Sequence, residues 1–455
     1  MGERQNTMND TQTAFAESMG KGYETPPIPE TQATQQVLEF RAYYDGTKFY
    51  LDNGKDFVPM DGRSIKSHLK LRGFVPLEIE ATICRIQTEN YVKYNGPLAG
   101  KMRGVYESNG DLLLASTSPH IIQSRPGKFP TIRKFITDLF GGDDHSESQV
   151  EAFMGWMAVS RRAMLEGKRR PGQALVLAGP IACGKTQLIK QVITPAIGGR
   201  EAKPYKYLSG KTGFNADLIG AEVLVIDDEA ASTRIENRRA LGESIKTSLF
   251  ASSVRIEGKF RNGFNFAPLW RIVIAVNDQP EALMVLPPLS HDLADKLMIL
   301  KCQKALEMGD EDFEIWQATI AVELSAFLHE VEAFEIRTEN ADARCGVKSF
   351  YHPDVVDAIS ELSPEHQLRT MIETLESSGG ISLPWDGTAA ALKAILTASS
   401  SAVRLDADRL LGSWPAACGV YLSRLVGKGV EKLPLRDGDQ RWRISESGEV
   451  DTKSK

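Results

Sequence analysis

The residues best suited to chemistry form a glycine-rich stretch at 179–187, GPIACGKTQ. An apolar run at 174–178 precedes it and an amphipathic pattern follows, so the stretch is predicted to connect a strand to a helix. Glycines let backbone N–H groups curl around phosphate oxygens, and the start of a helix adds partial positive charge. In this context Lys185 is expected to reach the β- and γ-phosphates of ATP, and the Thr186 hydroxyl to bind Mg²⁺. The predicted nucleotide-binding residues are Gly179, Pro180, Ile181, Ala182, Cys183, Gly184, Lys185, Thr186 and Gln187.

Acidic side chains follow a second apolar run, at 223–226, in the order Asp227, Asp228, Glu229. Ligands of doubly wound sheets lie at the carboxyl ends of parallel strands, so these side chains are expected beside the phosphates. Asp227 is predicted to hold Mg²⁺ through water. Asp228 is predicted to orient or deprotonate the attacking water, with Glu229 as the alternative for that role.

A third apolar run, WRIVIAV at 270–276, ends at Asn277. A neutral amide can hydrogen-bond the γ-phosphate or the attacking water without adding negative charge beside a phosphoryl group. Asparagine at a strand end is also a common turn former. Its place after the two preceding runs favours a catalytic role.

These side chains can act together only if their strands are parallel and adjacent, which predicts an α/β core with a parallel sheet. A small mixed α+β domain is predicted before that core, and a winged-helix-like domain of three short helices and two strands after it. The predicted segments are a disordered arm at 1–35, the small domain at 36–145, the core at 146–335, a helical linker at 336–382, the winged-helix-like domain at 383–447 and a flexible tail at 448–455.

Charge is unevenly distributed along the chain, although its formal net value is only -6. Between residues 161 and 271 there are 19 Lys/Arg and 10 Asp/Glu, a local balance of +9. The remainder therefore sums to -15. The low net charge gives no overall signature of nucleic-acid binding, and a basic middle in an acidic protein fits a localised anionic partner, although composition alone favours an ordinary solvated surface.

The five cysteines contain no CxxC pair, which disfavours a zinc ribbon or a disulfide framework and indicates a reducing compartment. Cys183, inside the glycine-rich stretch, is interpreted as a buried inert thiol rather than a redox switch. Asp138, Asp143 and Asp144 are interpreted as loop or cap residues rather than metal ligands. No apolar run reaches membrane-spanning length, and the N-terminus lacks a signal-peptide pattern, so a cytoplasmic protein without membrane partners is predicted.

Taken together, the three motifs resemble those of the superfamily 3 helicases of viruses, phages and plasmids, over roughly residues 150–305. Those proteins are compact AAA+ ATPases that act on DNA as ring hexamers. They carry an apolar-lysine start and a lysine-tipped hairpin between the acidic strand and the Asn strand. Here Ser244-Ile245-Lys246 opens that interval, and Lys259 lies in the hairpin-like stretch RIEGKFRNGF at 255–264. The flanking sequences also look like phage primase-helicase proteins.

The resemblance implies that the hairpin tip lines a central channel and grips DNA. Lysine and arginine side chains can bind phosphates without reading sequence, and Phe260 can stack on a base. The residues so implied to bind DNA are Lys246, Arg255, Lys259, Phe260 and Arg261. The implied partners are single-stranded or forked DNA, a homohexamer, and a separate primase or polymerase, since the chain has no convincing primase carboxylate pair.

One position departs from the family pattern. The family places an arginine after the Asn strand, to act on the ATP site of a neighbouring subunit, whereas this chain has Lys296. Lysine lacks the planar guanidinium fork. Other candidates are Arg234, Arg238, Arg239 and Arg271. A helicase or translocase is thus predicted, with a protein-directed AAA+ machine or a regulatory or defence switch as the alternative. A P-loop kinase is disfavoured because it gives Asn277 and the hairpin no role.

Overall fold

The computed structural model describes residues 40–227, 235–258, 263–289, 293–305, 310–361, 363–412, 414–436 and 438–445. The predicted arm at 1–35 and tail at 448–455 lie outside these residues. The chain divides into two compact units, Met1–Tyr94 and Asn95–Lys455. The predicted domain boundaries stay predictions.

Residues 95–145 belong to the second unit because their polar groups bond to it. Glu222, fully buried, accepts a hydrogen bond from the Gly100 backbone N–H at 2.9 Å. The Ala99 N–H donates to the Ile219 carbonyl at 2.8 Å, and the Ser108 hydroxyl donates to the Asn265 carbonyl at 2.8 Å. Contacts between residues so distant in sequence are invisible to composition.

The first unit is an antiparallel sheet followed by two helices. Its elements are β1 (Ala42–Tyr44), β2 (Phe49–Asp52), β3 (Phe57–Met60), α1 (Gly62–Leu71) and α2 (Pro76–Thr88). The Asp45 carboxylate accepts N–H bonds from Thr47 and Lys48 and so stabilises the β1–β2 turn. Asp61 caps α1, and the apolar residues Ile65 and Leu69, one turn apart, are fully buried in the core. Strand β4 (Val92–Gly96) spans the division between the units.

The second unit contains a larger set of elements around one sheet. Up to that sheet's last strand they are β5 (Gly104–Ser108), β6 (Asp111–Ala115), α3 (Pro130–Leu139), α4 (Ser146–Glu166), β7 (Ala174–Gly179), α5 (the continuous segments Lys185–Gln187, Leu188–Ile193 and Thr194–Ala196), β8 (Glu201–Ala202), α6 (Tyr205–Leu208), β9 (Val223–Ile226), α7 (Ile235–Phe250), β10 (Val254–Ile256), β11 (Phe264–Phe266), β12 (Arg271–Asn277), α8 (Pro280–Leu283) and β13 (Leu297–Lys301).

The central sheet has five parallel strands in the order β13-β7-β12-β9-β8. The predicted α/β class with a parallel sheet is therefore confirmed. Strand β12 is inserted between β7 and β9, and its last residue, Asn277, is paired with Gly179 at the end of β7. The carboxyl ends of three strands therefore lie side by side.

Burial on both faces explains why these strands read as continuous apolar runs. Every residue of β7 and β9 is buried. Helix α4 covers the sheet with a long apolar surface that includes Phe153, Trp156 and Met157, and it ends at Gly167, whose φ of 60° suits a left-handed cap. Helix α9 (Asp310–Ala333) packs against both α3 and α4.

The remaining elements are β14 (Ala341–Asp342), β15 (Gly346–Val347), α10 (Pro353–Glu361), α11 (Pro364–Ser377), β16 (Trp385–Thr388), α12 (Ala389–Leu396), α13 (Arg404–Leu411), α14 (Ala417–Arg424), β17 (Val430–Lys432) and β18 (Arg441–Ile444). Val347 of β15 still belongs to the first core, whereas the elements from α11 onward form a second core in the same unit. The three predicted helices and two predicted strands are present, with β16 added to give an antiparallel sheet in the order β16-β18-β17. Helix α11 lies in the predicted linker, yet Leu368 and Ile372 belong to this core.

Among the described residues, no helix is long and apolar enough to cross a membrane.

Candidate functional site

The glycine-rich loop between β7 and α5 has the backbone shape of an anion cradle. Ala182 and Gly184 have positive φ angles of 56° and 117°. For alanine this is a sparsely populated region that persists only where surrounding structure enforces it. A Cβ atom at Gly179 would lie 2.3 Å from the Cys302 carbonyl oxygen, so glycine is required there. Successive N–H groups in such a conformation converge on an anion at the start of α5.

Lys185, the first residue of α5, is buried and points back into the loop. Its ammonium donates to the carbonyl oxygens of Gly179 at 2.8 Å and Pro180 at 2.7 Å, and to Asn277 Oδ1 at 3.2 Å. The loop carbonyls thus hold the charge in place. Phosphate oxygens are stronger acceptors for an ammonium group than these neutral carbonyls, so a bound phosphate can take their place.

Thr186 and Asp227 are brought together from different elements. The Thr186 hydroxyl donates to Asp227 Oδ2 at 3.0 Å, across the gap between α5 and the end of β9. Hydroxyl and carboxylate oxygens are the hard ligands that Mg²⁺ prefers, with waters and phosphate oxygens completing its octahedron. The two side chains fit the predicted metal.

Two predicted residues of the acidic motif, Asp228 and Glu229, lie outside the described residues. Of the other predicted loop residues, Ile181 and Ala182 are exposed at the tip of the loop, and Gln187 on α5 lies 3.4 Å, between side-chain amides, from Gln317 on α9.

Lys296 lies at the opposite edge of the sheet from the loop. It immediately precedes β13, and its carbonyl accepts a hydrogen bond from Ala174, the first residue of β7. Its ammonium pairs with Asp295 and lies 5.1 Å from the centre of the Phe250 ring. Within one subunit Lys296 therefore cannot join Lys185 and Asn277.

The arginine candidates differ in exposure. Arg238 is buried and donates to the Leu286 carbonyl at 2.9 Å. Arg271 is buried and donates to the Ser160 hydroxyl at 2.9 Å, and burial lowers its pKa to about 10. Arg239 on α7 is exposed, whereas Arg234 lies outside the described residues.

The predicted hairpin is present as the paired strands β10 and β11, with Val254 opposite Phe266. Its tip, Lys259, Phe260 and Arg261, lies outside the described residues. The two other predicted DNA-binding residues are paired with acids. Lys246 lies 3.0 Å from Glu243, and the exposed Arg255 lies 2.9 Å from Glu257.

Cys183 is fully buried beneath the loop, but it is not isolated. Cys302 is also buried, and the Cys183 sulfur lies 3.6 Å from the Lys185 ammonium. The Cys302 side chain and the nearby Lys185 charge lower the pKa of Cys183 to about 6, while burial raises the pKa of Cys302. The expectation of an inert thiol does not fit these surroundings.

Sequence reasoning missed a cavity of about 290 Å³ beside the loop, whose lining includes the charged Lys134 and Asp138. Phe135 and Trp316, which line it, meet edge to face with ring centres 5.0 Å apart. Ala305, another lining residue, donates its N–H to the Cys183 carbonyl at 3.1 Å. Phe135 and Trp316 lie in helices whose apolar spacing is typical of ordinary core residues, so the sequence carried no signal for a cavity.

Asp143 lies in a polar cluster with His352 and Asp354 whose ligand atoms are close enough to hold a metal ion. Lys301 already compensates the charge of this cluster: its ammonium pairs with Asp354 and lies 3.7 Å from Asp143. His352, fully buried, contacts Asp143 at 2.9 Å. The cluster joins the end of β13 to the start of α10.

No protein-family model and no curated protein matches the sequence. The chain is similar in structure to the NrS-1 C-terminal region (305–718), with a TM-score of 0.54 and 12% identity over 90% of this chain and 97% of that one. JCV helicase, in a structure with a bound acetamide compound, aligns with a TM-score of 0.26 and 14% identity over 55% of this chain and 72% of that one. SCCmec type IV Cch, described as an active helicase, aligns with a TM-score of 0.26 and 11% identity over 84% of this chain and 72% of that one. The first of these comparisons shows a shared fold.

Proposed function

We propose that the chain is an ATP-hydrolysing nucleic-acid motor of the superfamily 3, AAA+ type. The observation that carries this proposal is the convergence of Lys185, Thr186, Asp227 and Asn277 at one edge of the parallel sheet. Four groups from three separate motifs meet where the motifs of such ATPases would require them. The resemblance of the sequence to superfamily 3 helicases supplies the substrate class.

Each of these four residues would have a separate role in phosphoryl transfer. Lys185 would bind the β- and γ-phosphates, and Thr186 and Asp227 would hold Mg²⁺, the latter through water. Bound Mg²⁺ supplies positive charge that offsets the charge on the transferred phosphoryl group. Asn277, already 3.2 Å from the Lys185 ammonium, would hydrogen-bond the γ-phosphate or position the attacking water. Asp228 or Glu229 would accept the proton of that water.

The cavity lined by Phe135 and Trp316 is the place for the nucleotide base. It is lined by two aromatic rings together with Lys134 and Asp138, and it is joined to the loop by the hydrogen bond between Ala305 and Cys183. Such a cavity gains affinity by burying a flat ring while leaving phosphate binding to the loop.

Nucleic acid would bind at the β10–β11 hairpin. Its strands lead directly into β12, so movement at Asn277 can reach the hairpin through one continuous segment. Lys259, Phe260 and Arg261 would grip a single strand in the channel of a homohexamer. Arg239, exposed on α7, or Lys296 would act on the neighbouring subunit's ATP.

The deciding experiment measures ATP hydrolysis with and without single-stranded DNA, together with the mass of the oligomer formed with nucleotide. We expect hydrolysis that depends on Mg²⁺, increases with DNA, and disappears in Lys185→Ala. Hydrolysis that DNA leaves unchanged would favour the protein-directed alternative. Hydrolysis that persists in Lys185→Ala would contradict the assigned site.

A further inference from the structure

Two buried thiols meet beneath the phosphate loop although they are far apart in the sequence. Cys183 lies inside the loop, and Cys302 follows β13 directly. Both side chains are at most 1% exposed and belong to the same buried core. No general requirement of phosphate binding calls for a thiol at either position, since the cradle is built from backbone N–H groups.

The backbones that carry the two thiols are held together on both sides. The Cys302 N–H donates to the Ala178 carbonyl at 2.6 Å, and the Ala305 N–H donates to the Cys183 carbonyl at 3.1 Å. A Cβ placed on Gly179 would come within 2.8 Å of the Cys302 Cβ. The segment after β13 therefore runs against the loop along its length, so the sulfurs can approach without rearrangement of the sheet.

We propose that Cys183 and Cys302 form a reversible disulfide that switches the nucleotide site off under oxidising conditions. The inference rests on the proposed function for its consequence, although the cross-link itself does not. Cys183 is the attacking thiol because the Lys185 ammonium, 3.6 Å from its sulfur, favours its thiolate. Cys302, whose thiol is kept protonated by burial, is the resolving partner.

The chemistry balances with a peroxide as oxidant. The Cys183 thiolate attacks one peroxide oxygen, the O–O bond breaks, and hydroxide leaves, which gives a sulfenic acid. The Cys302 sulfur then attacks the Cys183 sulfur, the S–S bond forms, the S–O bond breaks, and water leaves with the thiol proton. Two thiols are oxidised and one peroxide is reduced to two waters. Ile181 and Ala182, directly before the buried Cys183, are exposed, so movement of the loop would admit so small an oxidant.

A disulfide would disable the cradle through its geometry. Cys183 is directly followed by Gly184 and Lys185, the residues whose N–H groups and ammonium would meet the phosphates. Drawing the Cys183 side chain toward Cys302 displaces those groups and fixes the loop to the chain after β13. Phosphoryl transfer tolerates little misplacement, so nucleotide binding and hydrolysis are both expected to fall.

The test treats the reduced full-length protein with hydrogen peroxide and maps disulfides by mass spectrometry of unreduced peptides. We expect a peptide pair that joins Cys183 to Cys302, at least tenfold weaker binding of a fluorescent ATP analogue, and recovery of both after dithiothreitol. Exposed Cys84 reports that the oxidant has reacted. The proposal is overturned if Cys84 is oxidised while the Cys183 and Cys302 peptides stay unlinked.

Two variants separate the switch from simple damage. Cys302→Ala should bind nucleotide normally before oxidation and form no cross-link, whereas Cys345→Ala, which removes another buried thiol, should cross-link like the parent. Circular dichroism checks that each variant folds, and Cys302→Ser replaces Cys302→Ala if it does not. If the reduced protein does not bind ATP but oxidation still joins Cys183 to Cys302, the proposed function is refuted and the disulfide is not. An oxidised, cross-linked protein that binds ATP at full strength would overturn the switch.

Discussion

Lys185 and Asn277 meet through a hydrogen bond of 3.2 Å although 92 residues separate them in the sequence. The bond exists because β12 lies between β7 and β9, so Asn277 faces the loop that follows β7. The Asn277 amide would therefore respond when the Lys185 ammonium exchanges the loop carbonyls for a phosphate. This hydrogen bond connects the glycine-rich loop with β12, the strand that follows the β10–β11 hairpin along the chain.

Replacing Asn277 by alanine should slow hydrolysis far more than it weakens ATP binding. The loss of one preorganised polar contact to a reacting phosphoryl group costs roughly 100-fold in kcat. Lys185, Thr186 and the loop N–H groups remain to bind the nucleotide, so Kd should change little. Single-turnover hydrolysis and equilibrium binding check the split, with Asn340→Ala as the control asparagine. A parallel loss of binding and hydrolysis would assign Asn277 to structure rather than to catalysis.

Trp316 provides a test of where the base binds. Trp316→Leu should raise the Kd for ATP by removing an aromatic wall of the cavity, by roughly 1 kcal/mol, or about fivefold. Inorganic tripolyphosphate, which has no base, should bind the variant and the parent equally well. Competition titrations with both ligands measure the difference. If both ligands weaken alike, the cavity supports the loop and does not bind the base.

The central sheet was predictable because its strands are buried on both faces. Continuous apolar runs such as 223–226, each followed by polar residues, mark parallel strands and the edge where their ligands bind. Strand order was not predictable, since nothing local to β12 says that it inserts between β7 and β9. The hydrogen bond between Gly100 and the buried Glu222 was not predictable for the same reason, because the two residues lie far apart along the chain.

The candidate site divides in the same way. Gly184, Lys185 and Thr186 were identifiable because one short loop carries their chemistry. The environment of Cys183 was not, because it depends on Cys302, which follows β13 far along the chain and belongs to no motif. The position of Lys296 at the far edge of the sheet likewise required the strand directions.

Arg161 should be the residue of α4 whose loss most weakens the fold. It is 1% exposed and donates to Glu332 Oε1 at 2.9 Å, to the Ala196 carbonyl at 2.9 Å and to the Ile122 carbonyl at 2.5 Å. Arg161→Ala leaves these three acceptors without a donor, so the free energy of unfolding should fall by about 3 kcal/mol or more. Urea denaturation measures the change, with the adjacent, exposed Arg162→Ala as control. Equal stability of the two variants would contradict this account of the buried arginine.

The hairpin gives the sharpest distinction between a nucleic-acid motor and a protein-directed one. Lys259→Ala combined with Phe260→Ala removes a phosphate contact and a stacking surface, each needed only when a strand is bound. We expect the double variant to bind ATP and hydrolyse it at the basal rate, while stimulation by single-stranded DNA and unwinding of forked DNA are lost.

Two comparisons make that outcome specific. Lys203→Ala with Phe214→Ala removes the same two residue types elsewhere in the second unit, and it should keep stimulation by DNA. Raising the salt concentration should weaken DNA binding by the parent more steeply than by the double variant, because the variant has lost a cation that displaces counterions. If the double variant is stimulated by DNA as strongly as the parent, the hairpin does not grip nucleic acid, and the helicase proposal fails with it.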